Sequence, residues 1–329
     1  MLGPTSANAT GADFIDANGR RWISSGPAVF RALDVATTEV HDAAAREPAG
    51  PPIESLSVSE LAERLRPRRL VGGYEYRLAE PDFELAERIL AMPKAATVEG
   101  HQPTEPIALG VETGVLPQFV IPPTDDRVPI WTTTTFPARP FAYLGQSCTA
   151  TLIGRSTALC AAHCFYQNGW ISTPGITFGA NTSAPTAPYG TYNADSLTLP
   201  GAWNNSEWDW DFAVLEFSPT RYPGNSTGWF GVEQNATGTN WIIGYPNDKP
   251  IPSPWISNGT YTAFPGSRYE HNIDIMPGES GACSYNANYR CTGLQSTQWQ
   301  TTSPARIWNE VRRWDSTTYN FFDTYGNWP

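Results

Sequence analysis

From Pro129 to the C-terminus the chain is interrupted about every 8 to 12 residues by clusters of Gly, Pro and Asn, and the short runs between them are rich in Thr, Trp, Tyr, Val and Ile. FAYLG, CTATLIG, ITFGA, FAVLEF, NWIIGY and CTGLQST are such runs. Branched and aromatic side chains suit a pleated, half-buried surface. This punctuation restricts the segment to a mainly β fold, a sandwich or a barrel. Only the end departs from it. In PARIWNEVRRW the apolar residues Ile307, Trp308, Val311 and Trp314 are spaced for a helix packed outside the sheets.

Residues 1–119 have another texture, with no cysteine and a single tryptophan. Asn18-Gly19, set between Phe14-Ile15 and Trp22-Ile23, predicts a short hairpin. Ser57 and Glu60 form a capping-box pattern at the start of SELAERLR, which Pro67 should end. DFELAERILAM, between Pro81 and Pro93, is a second amphipathic helix candidate. From Lys94 to Pro129 prolines accumulate and periodicity disappears, as in an accessible linker. The chain therefore divides into a small mixed α/β unit with its linker, 1–119, and a β unit, 120–329. Arg68-Arg69 is a candidate processing site within the first unit.

A formal net charge of -11 argues against nucleic acid, which calls for a basic face, and against a polybasic membrane anchor. No stretch is long and apolar enough to span a bilayer as a helix. The five cysteines, Cys148, Cys160, Cys164, Cys283 and Cys291, do not form the paired C-x-x-C pattern of a zinc site. Two disulfides and a spare thiol are the simpler account, which implies an oxidising compartment and a secreted protein. Sequons at Asn8, Asn181, Asn204, Asn225, Asn235 and Asn258 agree with that expectation. The opening MLGPTSANATGADF lacks the apolar run of a secretory leader, so the leader is expected to lie outside the sequence given.

Of four histidines, at 41, 101, 163 and 271, two lie in the first unit. His271 sits among polar residues in YEHNID and reads as structural. His163 follows the strand-like TALC and stands beside Cys164, which can be tied to Cys148. Such a bridge would fix an imidazole that works as a general base. Its orienting carboxylate should be buried at the start of an apolar strand, which selects Asp211 over Asp209 in WDWDFAVLEF. Ser280 lies in PGESGA, where Gly278 and Gly281 permit a sharp turn that presents the hydroxyl and aims the Gly278 and Ser280 amides at one point. The order His, Asp, Ser gives this weak motif its weight. Cys283 and Cys291 can bridge the hairpin that follows, leaving Cys160 as the inward-pointing free thiol.

With these residues in place, the segment from about Val120 resembles the chymotrypsin-like serine peptidases, in particular their glutamyl endopeptidase branch. VIPPTDDRVPIWTTTTFPARPFAYLGQSCTATLIGRSTALCAAHC is similar to that branch's opening, DFAVLEF to its aspartate strand, and DIMPGESGAC to its nucleophile block. The resemblance implies two antiparallel six-stranded β-barrels with the cleft between them, a C-terminal helix, and cleavage before Val120 that releases an inhibitory propeptide. It also implies that Asp274, Ile275 and Gln295 contact the substrate. The branch carries Thr or Ser and a histidine where this chain has Ile275 and Gln295, so glutamate preference is not expected. Asp274 occupies the place that binds basic residues in trypsin-like enzymes, yet the branch has an aspartate there too.

The expectation is therefore a secreted, monomeric serine endopeptidase made as a zymogen. It would act on proteins or peptides with His163, Asp211 and Ser280 and without metal or organic cofactor. The alternatives are a non-catalytic binding protein on the same fold, a peptidase of trypsin-like specificity, and an esterase. The last of these lacks its strand-turn-helix context.

Overall fold

The computed structural model describes residues 11–31, 41–42, 51–92, 94–102, 125–145, 148–172, 175–184, 186–218, 220–234, 238–263, 266–302, 305–326 and 328. Val120 and the sequons at Asn8 and Asn235 lie outside them.

The first unit builds the elements its sequence predicts. The hairpin pairs Phe14 with Trp22, leading into β1 (Arg21–Pro27). Helix α1 (Val58–Leu65) starts at Ser57, whose hydroxyl accepts from the Glu60 amide while the Glu60 carboxylate accepts from the Ser57 amide. After β2 (Arg68–Val71) and β3 (Tyr74–Leu78) comes α2 (Phe83–Ala91), capped by Asp82. Both helices bury one apolar stripe, Leu61, Ala62 and Leu65 on the first and Leu85, Ala86 and Ile89 on the second.

Next come β4 (Phe141–Tyr143), β5 (Thr149–Leu152), β6 (Thr157–Cys160), β7 (Ile176–Phe178), β8 (Ser196–Leu199) and β9 (Ala213–Glu216). Their order in the sheet is β8-β9-β6-β5-β4-β7. This sheet does not close on itself among the described residues. The other edge of β8 pairs antiparallel with β2, Ser196 opposite Val71 through Leu199 opposite Arg68, so four strands of the first unit join this sheet, which with Thr191–Tyr192 beside β7 has 11 strands. Arg69 fixes the junction by donating to Glu216 at 2.9 Å and Ser196 at 3.0 Å. The dibasic pair Arg68-Arg69 is thus inside a paired strand.

The last six strands are β10 (Thr239–Gly244), β11 (Trp255–Ala263), β12 (Arg268–His271), β13 (Cys283–Tyr285), β14 (Arg290–Thr302) and β15 (Ala305–Arg313). They close as β14-β13-β10-β11-β12-β15-β14, one six-stranded barrel. The segment expected to be the terminal helix is β15. It lies between β14 and β12 with residues buried on both faces, so its apolar positions do not show a strand's alternation. Its polar side chains are buried in partnership: Glu310 accepts from Arg268 at 2.6 Å and Arg312 donates to Asp315 at 2.8 Å. The terminal helix comes just after, as α3 (Ser316–Tyr325), capped by Asp315. It packs Phe321 on Phe212 and Tyr325 on Trp22, joining both units in one apolar core.

Candidate active site

The pairing of β6 with β9 sets Cys160 opposite Ala213. Three residues beyond the end of one strand is His163, on the short turn Ala162–Cys164, and two residues before the start of the other is Asp211. The register brings the two together. His163 Nδ1 lies 2.8 Å from one Asp211 oxygen, and the His163 amide donates to the other at 2.9 Å. The Cys148–Cys164 disulfide, Cα–Cα 6.2 Å, pins the turn as its sequence predicts. Cys283 and Cys291 are also bonded, and Cys160 is a buried free thiol. Asp211 is fully buried, which by itself would raise its pKa. The charge and hydrogen bonds of His163, with the Ser296 hydroxyl donating at 2.5 Å, outweigh this and hold the carboxyl below its ordinary value.

Ser280 is half-buried, its carbonyl 3.8 Å from the Sγ of Cys164, the residue after His163. The same carbonyl accepts from the Thr149 amide at 2.8 Å, and the next residue, Gly281, lies so close to Cys160 Sγ and the Ala161 nitrogen that a Cβ there would clash at 2.4 and 2.7 Å. No hydrogen bond joins the Ser280 hydroxyl to the His163 ring.

The loop Met276–Ser280 has an unusual hydrogen-bond distribution. The Met276 carbonyl accepts from the Glu279 amide, Pro277 from the Asn247 amide at 2.7 Å, Gly278 from the Thr149 hydroxyl at 2.8 Å, and Glu279 from the Ala282 amide. Each of these carbonyls is satisfied, whereas the Gly278 and Ser280 amides donate to no described group. Buried amides rarely go unpaired. Gly278 has φ 106°, and any Cβ would sit 2.3 Å from the Tyr245 carbonyl, so only glycine holds this turn.

The expected substrate-contacting residues are placed as follows. Gln295 is buried. Its side-chain oxygen faces His271 Nε2 at 2.8 Å, and its nitrogen donates to the Thr297 carbonyl. Because His271 Nδ1 accepts from the Ile273 amide, its Nε2 carries the proton, and burial lowers its pKa to about 4. Ile275 is buried without polar function. Asp274 accepts from the Asp126 amide and lies 3.9 Å from Arg127, while burial raises it to about 7. Residues without a signal in the sequence complete the site: Ser296 on Asp211, and Trp208, whose ring lies 6.0 Å from His163 and 6.2 Å from Trp299. Both are unremarkable in the sequence and acquire meaning only from the register.

β14 pairs with β15 from Gly293 to Thr302 but with β13 only as far as Leu294, leaving on that side an edge that begins next to Ser296. On that edge His41–Asp42 of the first unit runs parallel to Trp299 and Gln300. Ile53 and Leu56 of the same unit line a cleft with Trp208 and Asp209.

The sequence model described as Trypsin matches residues 130–308. The glutamyl endopeptidase of Bacillus licheniformis is 26% identical over 216 residues, covering 62% of this chain and 67% of that protein. A glutamyl endopeptidase of Staphylococcus aureus is 25% identical over 193 residues, and the chain spans only 51% of its length. A solved Glu endopeptidase in complex with MPD superposes with a TM-score of 0.54 at 27% identity, covering 60% of this chain and 94% of that one.

Proposed function

Because this chain belongs to the trypsin family, whose model matches more than half of it, we propose that it is a secreted serine endopeptidase made as a zymogen. Ser280 attacks the scissile carbonyl. His163 takes the hydroxyl proton and later gives it to the leaving amine, and Asp211 fixes the imidazole and stabilises its charged form. The Gly278 and Ser280 amides receive the oxyanion, first in acyl-enzyme formation and again in its hydrolysis. The observation that carries this reading is the pair of buried Asp211 and half-buried His163, together with a loop whose carbonyls are engaged and whose two amides are not.

Residues 1–119 serve as propeptide and linker in this account. An unpaired strand edge is where an extended peptide adds to a sheet, and the edge of β14 starts at the residue that holds Asp211. His41–Asp42 takes that edge in the parallel sense, so the first unit competes with substrate for it. Disulfides, and exposed sequons at Asn204 and Asn225, support export. The Asn181 sequon is buried, its amide donating to the Trp131 carbonyl.

The relatives are glutamyl endopeptidases by name, but the residues expected here to meet the substrate offer nothing to bind a carboxylate. Gln295 spends its side chain on His271 and Thr297, and Ile275 offers no donor. Trypsin-like preference is disfavoured as well, because Asp274 already faces Arg127 and the Asp126 amide. The substrate residue before the scissile bond is therefore neutral. Digesting an unfolded polypeptide and sequencing the fragments tests both points. Wild type should cut after neutral residues and Ser280→Ala should not cut; cutting confined to Glu, Lys or Arg would refute the specificity, and equal cutting by both would refute the enzyme.

A further inference from the structure

Glu279, directly before Ser280, has no solvent exposure, and its carboxylate lies inside the loop that presents the two unclaimed amides. One oxygen accepts from the Met276 amide at 2.6 Å, while the Glu279 amide donates back to the Met276 carbonyl at 3.2 Å. Those two bonds close the turn on either side of Gly278. A buried carboxylate needs a counter-charge. The nearest is Arg127, whose Nη1 lies 3.7 Å from the same oxygen. The guanidinium is almost entirely buried; it also pairs through Nε with Asp125 at 2.9 Å and through Nη1 and Nη2 with Asp248 at 3.0 and 2.6 Å, and its Nε lies 3.9 Å from Asp274. Lys249 in turn pairs with Asp125.

We infer that Arg127 is a positioning residue for the oxyanion loop: from inside the chain it supplies the positive charge that holds Glu279 against the Met276 amide and so keeps the Gly278 and Ser280 amides aimed outward. This rests on the reading of that loop as an oxyanion hole. Its consequence is that the hole is assembled while residues 1–119 are still attached. Processing then uncovers the cleft and is not needed to build the catalytic loop. The backbone agrees, because Gly278 already has its positive φ and its carbonyl is already bonded to Thr149 in the unprocessed chain.

The test uses the full chain and a small activated ester, which needs no extended binding edge, at pH 9, above the value of about 8 to which burial raises Glu279, so that its carboxylate is charged. Arg127→Met should lower kcat by about 100-fold, in the range of about 10²–10³ known for loss of an oxyanion donor, with KM little changed. Arg127→Lys should retain a larger share of kcat. In Arg127→Met/Glu279→Gln the buried group is neutral and needs no cation, so kcat should recover by about tenfold or more over the single variant, equivalent to about 1.4 kcal/mol. Thermal unfolding checks that each variant is folded. An Arg127→Met chain with wild-type kcat, or a double variant no better than the single, would overturn the inference. If the wild-type chain neither turns over the ester nor reacts with a fluorophosphonate, the proposed function fails first, and the two failures are thereby distinguished.

Discussion

Asp211 makes three hydrogen bonds with no exposure to solvent, and each has a separable consequence. Asp211→Asn keeps the shape but favours the wrong imidazole tautomer, so kcat should fall by about 10⁴. Ser296→Ala removes one donor to a charged acceptor, worth about 1.5–3 kcal/mol, so a loss of roughly tenfold or more is expected in the same peptide assay. Asp211 was legible because a carboxylate leading into FAVL has few structural uses. Ser296 was not, since a serine in a strand is common and its role depends on which face the bulge between Gln295 and Thr297 presents. Glu279 gives a second prediction at this scale. Burial raises it to about 8 and Asp274 to about 7, so between pH 6.5 and 8 the folded chain holds protons that the unfolded chain has released. Stability should therefore fall as pH rises through that window. Below 6.5, His271, lowered to about 4, acts in the opposite direction, because the unfolded chain then binds the proton. Urea unfolding at pH 6.5 and 8 should show this fall, and Glu279→Gln should flatten it; a rise in the wild type would contradict the burial argument.

The element that misled the sequence reading is β15. Periodicity separates helix from strand when one face is wet, and β15 has no wet face, so the spacing of Ile307, Trp308, Val311 and Trp314 matched a helix by accident. The helix that does exist, α3, is nearly all-round buried, with Phe321, Phe322 and Tyr325 in the core beside Thr317, Thr318 and Asn320. That gave it no amphipathic signature either. By contrast α1 and α2 each have one buried stripe and a side-chain cap, and both were legible. At this scale the edge of β14 carries a prediction. With His41–Asp42 paired there, the unprocessed chain should hydrolyse a small ester far faster, relative to the processed enzyme, than it hydrolyses a polypeptide, which needs the edge. Steady-state assays of both forms on both substrates measure the ratio, and an equal effect on the two substrates would count against the edge as the inhibitory contact.

For the molecule as a whole, composition and punctuation gave a mainly β chain with an α/β segment in front, and one closed barrel with a terminal helix is present. What they could not convey is that the two segments share a sheet. Pairing of β2 with β8 lies between residues more than a hundred positions apart, and nothing local specifies it. Because β8 pairs with β2 and one core includes Trp22, Leu61 and Leu85, residues 120–329 refolded from denaturant alone should regain the native state more slowly, and aggregate more on the way, than the full chain, whereas the segment released from an already folded chain keeps its fold. Supplying residues 1–119 as a separate chain during refolding should raise the yield of active 120–329 protein; refolding of the segment alone as fast and as completely as the full chain would contradict this reading.

The triad is tested most directly by reacting the full chain with a fluorophosphonate and locating the adduct by peptide mass spectrometry. The account predicts a single adduct on Ser280, absent from Ser280→Ala and strongly slowed in His163→Ala. An adduct on another residue, or none on folded wild-type protein, would contradict it.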